Sequence, residues 1–386
     1  MKHTQIIGLL PILFGFFIMG FCDVVGISSS YIKQDFGLSD AAAGFIPSMV
    51  FIWFFAFSLP IGIVMRRIGR KNMVLISMLF TTIAMIMPVA VYTFVSVLIA
   101  FALLGIGNTI LQVSLNPLMG NLLAGRQLAS GLTAGQFVKA LSSFCGPIVA
   151  AWAVNLFGDW RYMFPIFALI TLFSAVWLFF APIPRERVVD RAISYKEVVS
   201  LLKDRTILML FLGILFIVGV DVGINTVTPK LLMERSAMSL QEAGYGISLY
   251  FACRTIGAFI GAFLLTRISP VGFFRVSMSV SILAFVILFF TADTELILAM
   301  IGILGFFCAN VFSILFSEAL QVRPEYANEL SGLMIMGISG GAIIPPCMGL
   351  FAEWTGSQYG ALAVLAICLV YLLIASFFMG KQKSVE

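Results

Sequence analysis

Apolar residues do not alternate with polar ones along this chain; they run together. Nearly unbroken apolar windows of about 20 residues, the length a membrane helix needs, recur over 5–32, 41–64, 72–93, 95–124, 131–157, 162–182, 207–231, 242–266, 271–291, 295–320, 331–353 and 358–380. These twelve spans are joined by short connections, with one exception. Residues 183–206, IPRERVVDRAISYKEVVSLLKDRT, are polar and charged and divide the spans six and six. The pattern predicts an all-α membrane protein of twelve transmembrane helices in two six-helix bundles, 1–182 and 207–386. The cytoplasmic linker 183–206 is expected to lie partly as an amphipathic helix on the membrane surface. The N-terminal run continues to Ile32 without a convincing small-residue cleavage site, so it reads as an uncleaved first helix.

Composition agrees. The 386 residues are 61% hydrophobic and 11% charged, against about 25% charged in an average soluble domain. The net charge of +5 does not point to nucleic acid, because the cations gather in short inter-helix loops. With the N-terminus inside, the inner segments hold seventeen Lys and Arg and the outer ones four, Lys33, Arg161, Lys230 and Arg235. The positive-inside rule then places both termini in the cytoplasm. A weak internal repeat supports two related halves: SGL at 130–132 and 331–333, Trp152 and Trp354, VGI at 25–27 and 222–224.

Polar residues inside the spans carry the functional reading, since charges at membrane depth are costly and usually line a wet cavity or pair with one another. Asp23 lies ~14 Å from the outer end of span 1, and Lys139 ~12 Å from the inner start of span 5. Asp221 and Arg254 sit within spans 7 and 8. Asn108, Gln112 and Asn116 share one face of span 4; Gln136, Lys139 and Ser143 one face of span 5; Asp221, Asn225 and Thr228 one face of span 7. Three polar faces imply a shared hydrated interior. Structural pairs, Asp23 with Lys139 and Asp221 with Arg254, are the alternative for the charges. Trp53, Tyr250 and Phe251 are candidate aromatic platforms.

Enzyme chemistry finds no support. The one histidine, His3, is terminal; the six cysteines fall in apolar segments without a CxxC; and neither GxxxxGK[ST] nor HExxH occurs. No cofactor and no metal site are expected. A polar lining without reactive groups fits passage of a solute.

The loop GIVMRRIGRKN (62–72) resembles the G-x-x-x-D-R-x-G-R-K signature of the major facilitator superfamily, with Arg66 where Asp is usual. A basic residue there, GIGNTILQVSLNP (105–117) and ISGGAIIPPCMG (338–349) after FSILFSEAL (312–320) resemble the fucose/glucose/galactose:proton symporter branch. The resemblance implies a solute site between two bundles, alternating access, and a gating loop made of Gly62, Arg66, Arg67, Gly69 and Arg70. It implies cation coupling through Asp23, with H+ or else Na+ as the coupling ion. Where the branch has a second acid this chain has Gln112, and where it has an amide this chain has Lys139. Both changes shift the lining toward positive. The expected substrate-binding set is Asn108, Gln112, Asn116, Gln136, Lys139, Asp221, Asn225 and Arg254. The expected function is uptake of a monosaccharide across a bacterial inner membrane by a monomer in contact with lipid. A sugar acid or other organic anion is the alternative, drug efflux is a third reading, and a non-transporting receptor or scaffold a fourth.

Overall fold

The computed structural model describes residues 3–38, 40–184, 194–238 and 240–379, all-helical and without a strand among them. The first span comprises α1 (His3–Met19), a 3-10 turn (Gly20–Val24) and α2 (Val25–Phe36). Spans 2 to 6 are α3 (Asp40–Ile68), α4 (Arg70–Ala90), α5 (Phe94–Met119), α6 (Gly125–Phe157) and α7 (Met163–Phe180). In the linker, α8 (Tyr195–Ser200) and a 3-10 turn (Leu201–Lys203) are short; residues 185–193 lie outside the described residues. Spans 7 to 9 are α9 (Arg205–Ser236), α10 (Leu240–Arg267) and α11 (Pro270–Phe290). Span 10 is split into α12 (Thr294–Cys308) and α13 (Val311–Val322). Span 11 comprises α14 (Ala327–Met336), a 3-10 turn (Gly337–Ser339) and α15 (Gly340–Thr355); span 12 is α16 (Gln358–Phe378). Among the described residues eleven of these elements are long and apolar enough to cross a membrane, and α3, of 29 residues, is the remaining span.

Helix ends follow local chemistry. Thr93, Asp204, Asp293 and Ser357 accept backbone N–H bonds at the starts of α5, α9, α12 and α16. Gly69 has φ of 88°, which lets a single residue separate α3 from α4. Apolar periodicity alone does not mark where span 1, span 10 and span 11 break, because each break is short and lies inside a long apolar run, with Asp23, Asn310 and Ser339 as isolated polar residues in it.

The chain forms two compact units. The first holds Met1–Ala124, Gly135–Val198 and Pro324–Met336; the second holds Gly125–Ala134, Val199–Arg323 and Gly337–Glu386. Two short segments are thus exchanged relative to any linear split of the sequence. Within the first unit α1 and α6 run parallel and close. A Cβ at Gly135 would meet the Phe16 ring at 2.8 Å, one at Gly20 the Lys139 carbonyl at 2.7 Å, and one at Gly146 the Val24 side chain at 3.2 Å. Within the second unit the same parallel packing joins α9 to span 11, with Gly337 on Ile214, Gly341 on Val218 and Val222, and Met348 on Gly223. The units repeat each other in another detail: Gly105 on α5 abuts Val50 of α3, and Gly305 on α12 abuts Tyr250 of α10. Both members of the second pair lie 200 positions after those of the first.

Candidate functional site

The polar residues picked out by pattern fall into two groups, one in each unit. In the first unit Asp23 sits in the 3-10 turn between α1 and α2, where the chain leaves regular helix. Such a turn inside a membrane span often marks a hinge. Its carboxylate is exposed and accepts a hydrogen bond from Ser143 Oγ at 2.5 Å. Lys139 lies one helical turn earlier on the same face of α6 and is half-buried. The alternative reading, an Asp23–Lys139 ion pair, does not form, because Ser143, four residues further along, is the residue level with Asp23. Among the described residues the Lys139 ammonium has neither a carboxylate nor an acceptor. The charges of Asp23 and Lys139 both act on the Cys22 thiol, which lies beside the Asn108 amide.

The face of α5 is buried and poorly satisfied. Asn108 is 3% exposed, and neither its amide nitrogen nor its oxygen has a hydrogen-bond partner. Asn116 donates to the Gln112 carbonyl at 2.8 Å, while its own side-chain oxygen is unpartnered. Gln112 is buried too, and its side-chain amide makes no hydrogen bond among the described residues. Gln136 stands half-buried on α6. Buried polar atoms are nearly always satisfied, so the orphaned amide of Asn108, beside Cys22 and next to the exposed carboxylate of Asp23, reads as part of a solute-binding lining. Trp53, whose indole N–H is likewise buried without a partner, packs against Gly105 on this side.

In the second unit the pair held as the alternative, Asp221 with Arg254, does form. Arg254 donates from Nη2 to Asp221 Oδ2 at 2.5 Å, and Tyr250 donates from its hydroxyl to Asp221 Oδ1 at 2.5 Å. Asn225 donates to the Asp221 carbonyl, leaving its own oxygen buried and unpartnered. Tyr250 is fully buried, which removes it as an aromatic platform: its ring is packed and its hydroxyl committed. Phe251 beside it is exposed.

The loop signature forms a separate polar cluster. Arg66 donates to Glu329 Oε1 at 2.8 Å and to the Glu325 carbonyl at 3.3 Å. The side chains of this pair are only 10% and 1% exposed. Arg70 donates to Asn328 Oδ1 at 2.7 Å, to the Pro117 carbonyl at 3.0 Å and to Asn121 Oδ1 at 2.5 Å. Gly62 lets the 328–332 backbone approach, since a Cβ there would meet the Asn328 carbonyl at 2.9 Å. Ser331 donates to the Val113 carbonyl at 2.5 Å. Arg67 is exposed. Glu329 and Asn328 fall between the apolar windows 295–320 and 331–353, where hydropathy does not single them out. A signal was available: Arg66, placed where the signature has an acid, calls for an acid from another element.

A third cluster ties together the loops of the first unit. Tyr92 Oη (2.5 Å) and Trp160 Nε1 (3.0 Å) both donate to Asp35 Oδ2. The Tyr31 and Trp160 rings stack at 5.0 Å, and Arg161 lies over the Tyr92 ring at 4.3 Å. Burial, and then the Asp35 hydrogen bond, push the Tyr92 hydroxyl well up. Arg161 Nε donates to Asp159 at 2.7 Å, and this hydrogen bond holds the Asp159 carboxyl below its usual range.

Comparison with known proteins fits these features. The chain is 27% identical over 388 residues to a glucose/galactose transporter of Brucella abortus, covering 96% of this chain and 92% of the relative. Its fold is similar to that of the fucose:proton symporter of E. coli, with a TM-score of 0.85 at 17% identity, covering 97% and 99% of the two chains. The solved proton:xylose symporter is similar in fold too, with a TM-score of 0.70 at 15% identity over 98% and 95%. Residues 10–339 match the family model of the Major Facilitator Superfamily. The chain is a multi-pass membrane protein of the transporter kind, not an enzyme, and it belongs to the Major Facilitator Superfamily.

Proposed function

We propose that this protein is a proton-coupled importer of a monosaccharide-sized solute in a bacterial inner membrane, with both termini cytoplasmic. The observation that carries the reading is Asp23: one exposed carboxylate, at a break in helical structure, held by Ser143 and next to Cys22, which lies beside the orphaned Asn108 amide of α5. Amides supply both donors and acceptors, the complement of a sugar hydroxyl. The relatives named as glucose/galactose transporters support this class of solute. A carboxylate that accepts a proton on one side and releases it on the other couples the two flows, and the 3-10 turn lets its backbone adjust. The clamp of Arg66 and Arg70 on residues 324–336 serves as the cytoplasmic closure, opened when the solute is discharged.

The test is transport by the full chain in proteoliposomes. Asp23→Asn is expected to abolish accumulation driven by an inward proton gradient while leaving solute exchange between preloaded vesicles intact. Replacing sodium with choline should change nothing. Undiminished pH-driven accumulation by the variant would remove Asp23 from the mechanism, and dependence on sodium would replace the proton.

A further inference from the structure

Lys139 is the feature that transport of a neutral sugar leaves unexplained. A cation within a membrane span is expensive unless it is paired or faces water. Among the described residues no carboxylate forms an ion pair with it. The first span packs along this face, with Phe16 against Gly135 and Gly20 against Lys139 and Ser142; α1 contains no Asp, Glu, Lys or Arg, and α6 contains only Arg126 near its start and Lys139 itself. The one acid at this level, Asp23, is engaged by Ser143. In the second unit the corresponding economy is different: Arg254 has its carboxylate, Asp221.

We infer that Lys139 is a specificity-determining residue that binds a carboxylate of the solute, so that the preferred solute is a sugar acid and not a neutral sugar. This rests on the proposal that the protein transports a monosaccharide, and narrows its class. The half-buried ammonium supplies one charge-assisted contact, about twice as strong as a neutral hydrogen bond. The amides of Asn108, which shares Cys22 as a neighbour with Lys139, and of Gln136, one turn before it on α6, then take hydroxyls. α5, which bears Gln112, carries no Asp or Glu and so adds no charge that would repel a carboxylate. The bound anion supplies the counter-charge that the protein withholds from Lys139.

The experiment measures uptake of D-glucuronate and D-galacturonate against D-glucose and D-galactose in the same proteoliposomes, for the natural protein, Lys139→Gln and Lys139→Arg. The acids are expected to be taken up in preference. Lys139→Gln should lower the acid-to-neutral ratio by about tenfold or more, the equivalent of one charge-assisted hydrogen bond, and Lys139→Arg should preserve the preference. The ratio is read within each preparation, so a loss of folded protein does not mimic the effect. Preference for the neutral sugars, or a ratio unmoved by Lys139→Gln, overturns the inference and leaves monosaccharide transport standing. Uptake of none of the four overturns both.

Discussion

At the scale of single residues, charge decides what can be inferred and what cannot. Asp221 and Arg254 are legible as a pair because two opposite charges inside apolar spans have few other ways to be satisfied. The same logic applied to Asp23 and Lys139 fails, because two side chains on packed helices meet only if their axial levels agree. Four residues along a helix amount to about 6 Å, which puts Ser143 and not Lys139 opposite Asp23. Arg66 and Glu329 show the converse. Their ion pair is almost wholly buried, and no local pattern joins residues so far apart in the chain. Removing one partner of a buried pair leaves an uncompensated charge and costs about 3–5 kcal/mol, whereas replacing both by neutral groups of similar shape is far milder. Glu329→Gln should therefore lower the apparent unfolding temperature of the detergent-purified protein markedly, and Arg66→Met added to Glu329→Gln should recover most of the loss. Equal destabilisation by the single and double changes would show that the pair contributes no such penalty.

At the scale of elements, spans are easy to read and their interruptions are not. Hydropathy places all twelve, yet the 3-10 turn at Gly20–Val24, the break between Cys308 and Val311 and the turn at Gly337–Ser339 fall within apolar runs. Each is tied to a close helix approach, with Gly20 against α6, Asn310 donating to the Gly257 carbonyl, and Gly337 against Ile214. Such approaches depend on a partner helix far away in sequence, as Lys139 is from Gly20 and Ile214 from Gly337. Gly20 makes the testable case. A Cβ there would lie 2.6 Å from Ser142 Cβ and 2.7 Å from the Lys139 carbonyl, too near for either to stay in place. Gly20→Leu should force the turn away from α6, cost about 1–3 kcal/mol of stability by overpacking, and part Asp23 from Ser143. The expected readout is loss of pH-driven uptake; uptake at the natural rate would mean that the approach has no bearing on the carboxylate.

For the whole molecule, the two units answer to acid through groups outside the spans. In the first, Arg161 holds the Asp159 carboxyl low. In the second, burial alone would raise the Asp204 carboxyl, but the Thr206 N–H and the Arg323 guanidinium outweigh it and hold it below its usual range. A carboxyl lowered in the folded state adds stability that is present above its unfolded value, near 3.9, and is lost as the pH falls through the folded value. Thermal stability in detergent should thus be level from neutral pH to about pH 5 and fall below about pH 4. Asp159→Asn and Asp204→Asn should each flatten that fall. An acid limb unchanged in both variants would assign it to other groups.

The sequence by itself determined the solvent, the number of spans and which polar groups lie within them, because hydropathy and isolated polar groups act locally and need no partner to be recognised. Tertiary structure alone decided which polar groups meet. It joined Ser143 to Asp23, Glu329 to Arg66 and Tyr250 to Asp221, and it left Lys139 and the amides of α5 open. It also exchanged Gly125–Ala134 and Pro324–Met336 between the units. The reason is geometric: a pairing depends on the relative height and rotation of two helices, which are fixed by side-chain packing across long sequence separations and leave no periodic trace in either segment.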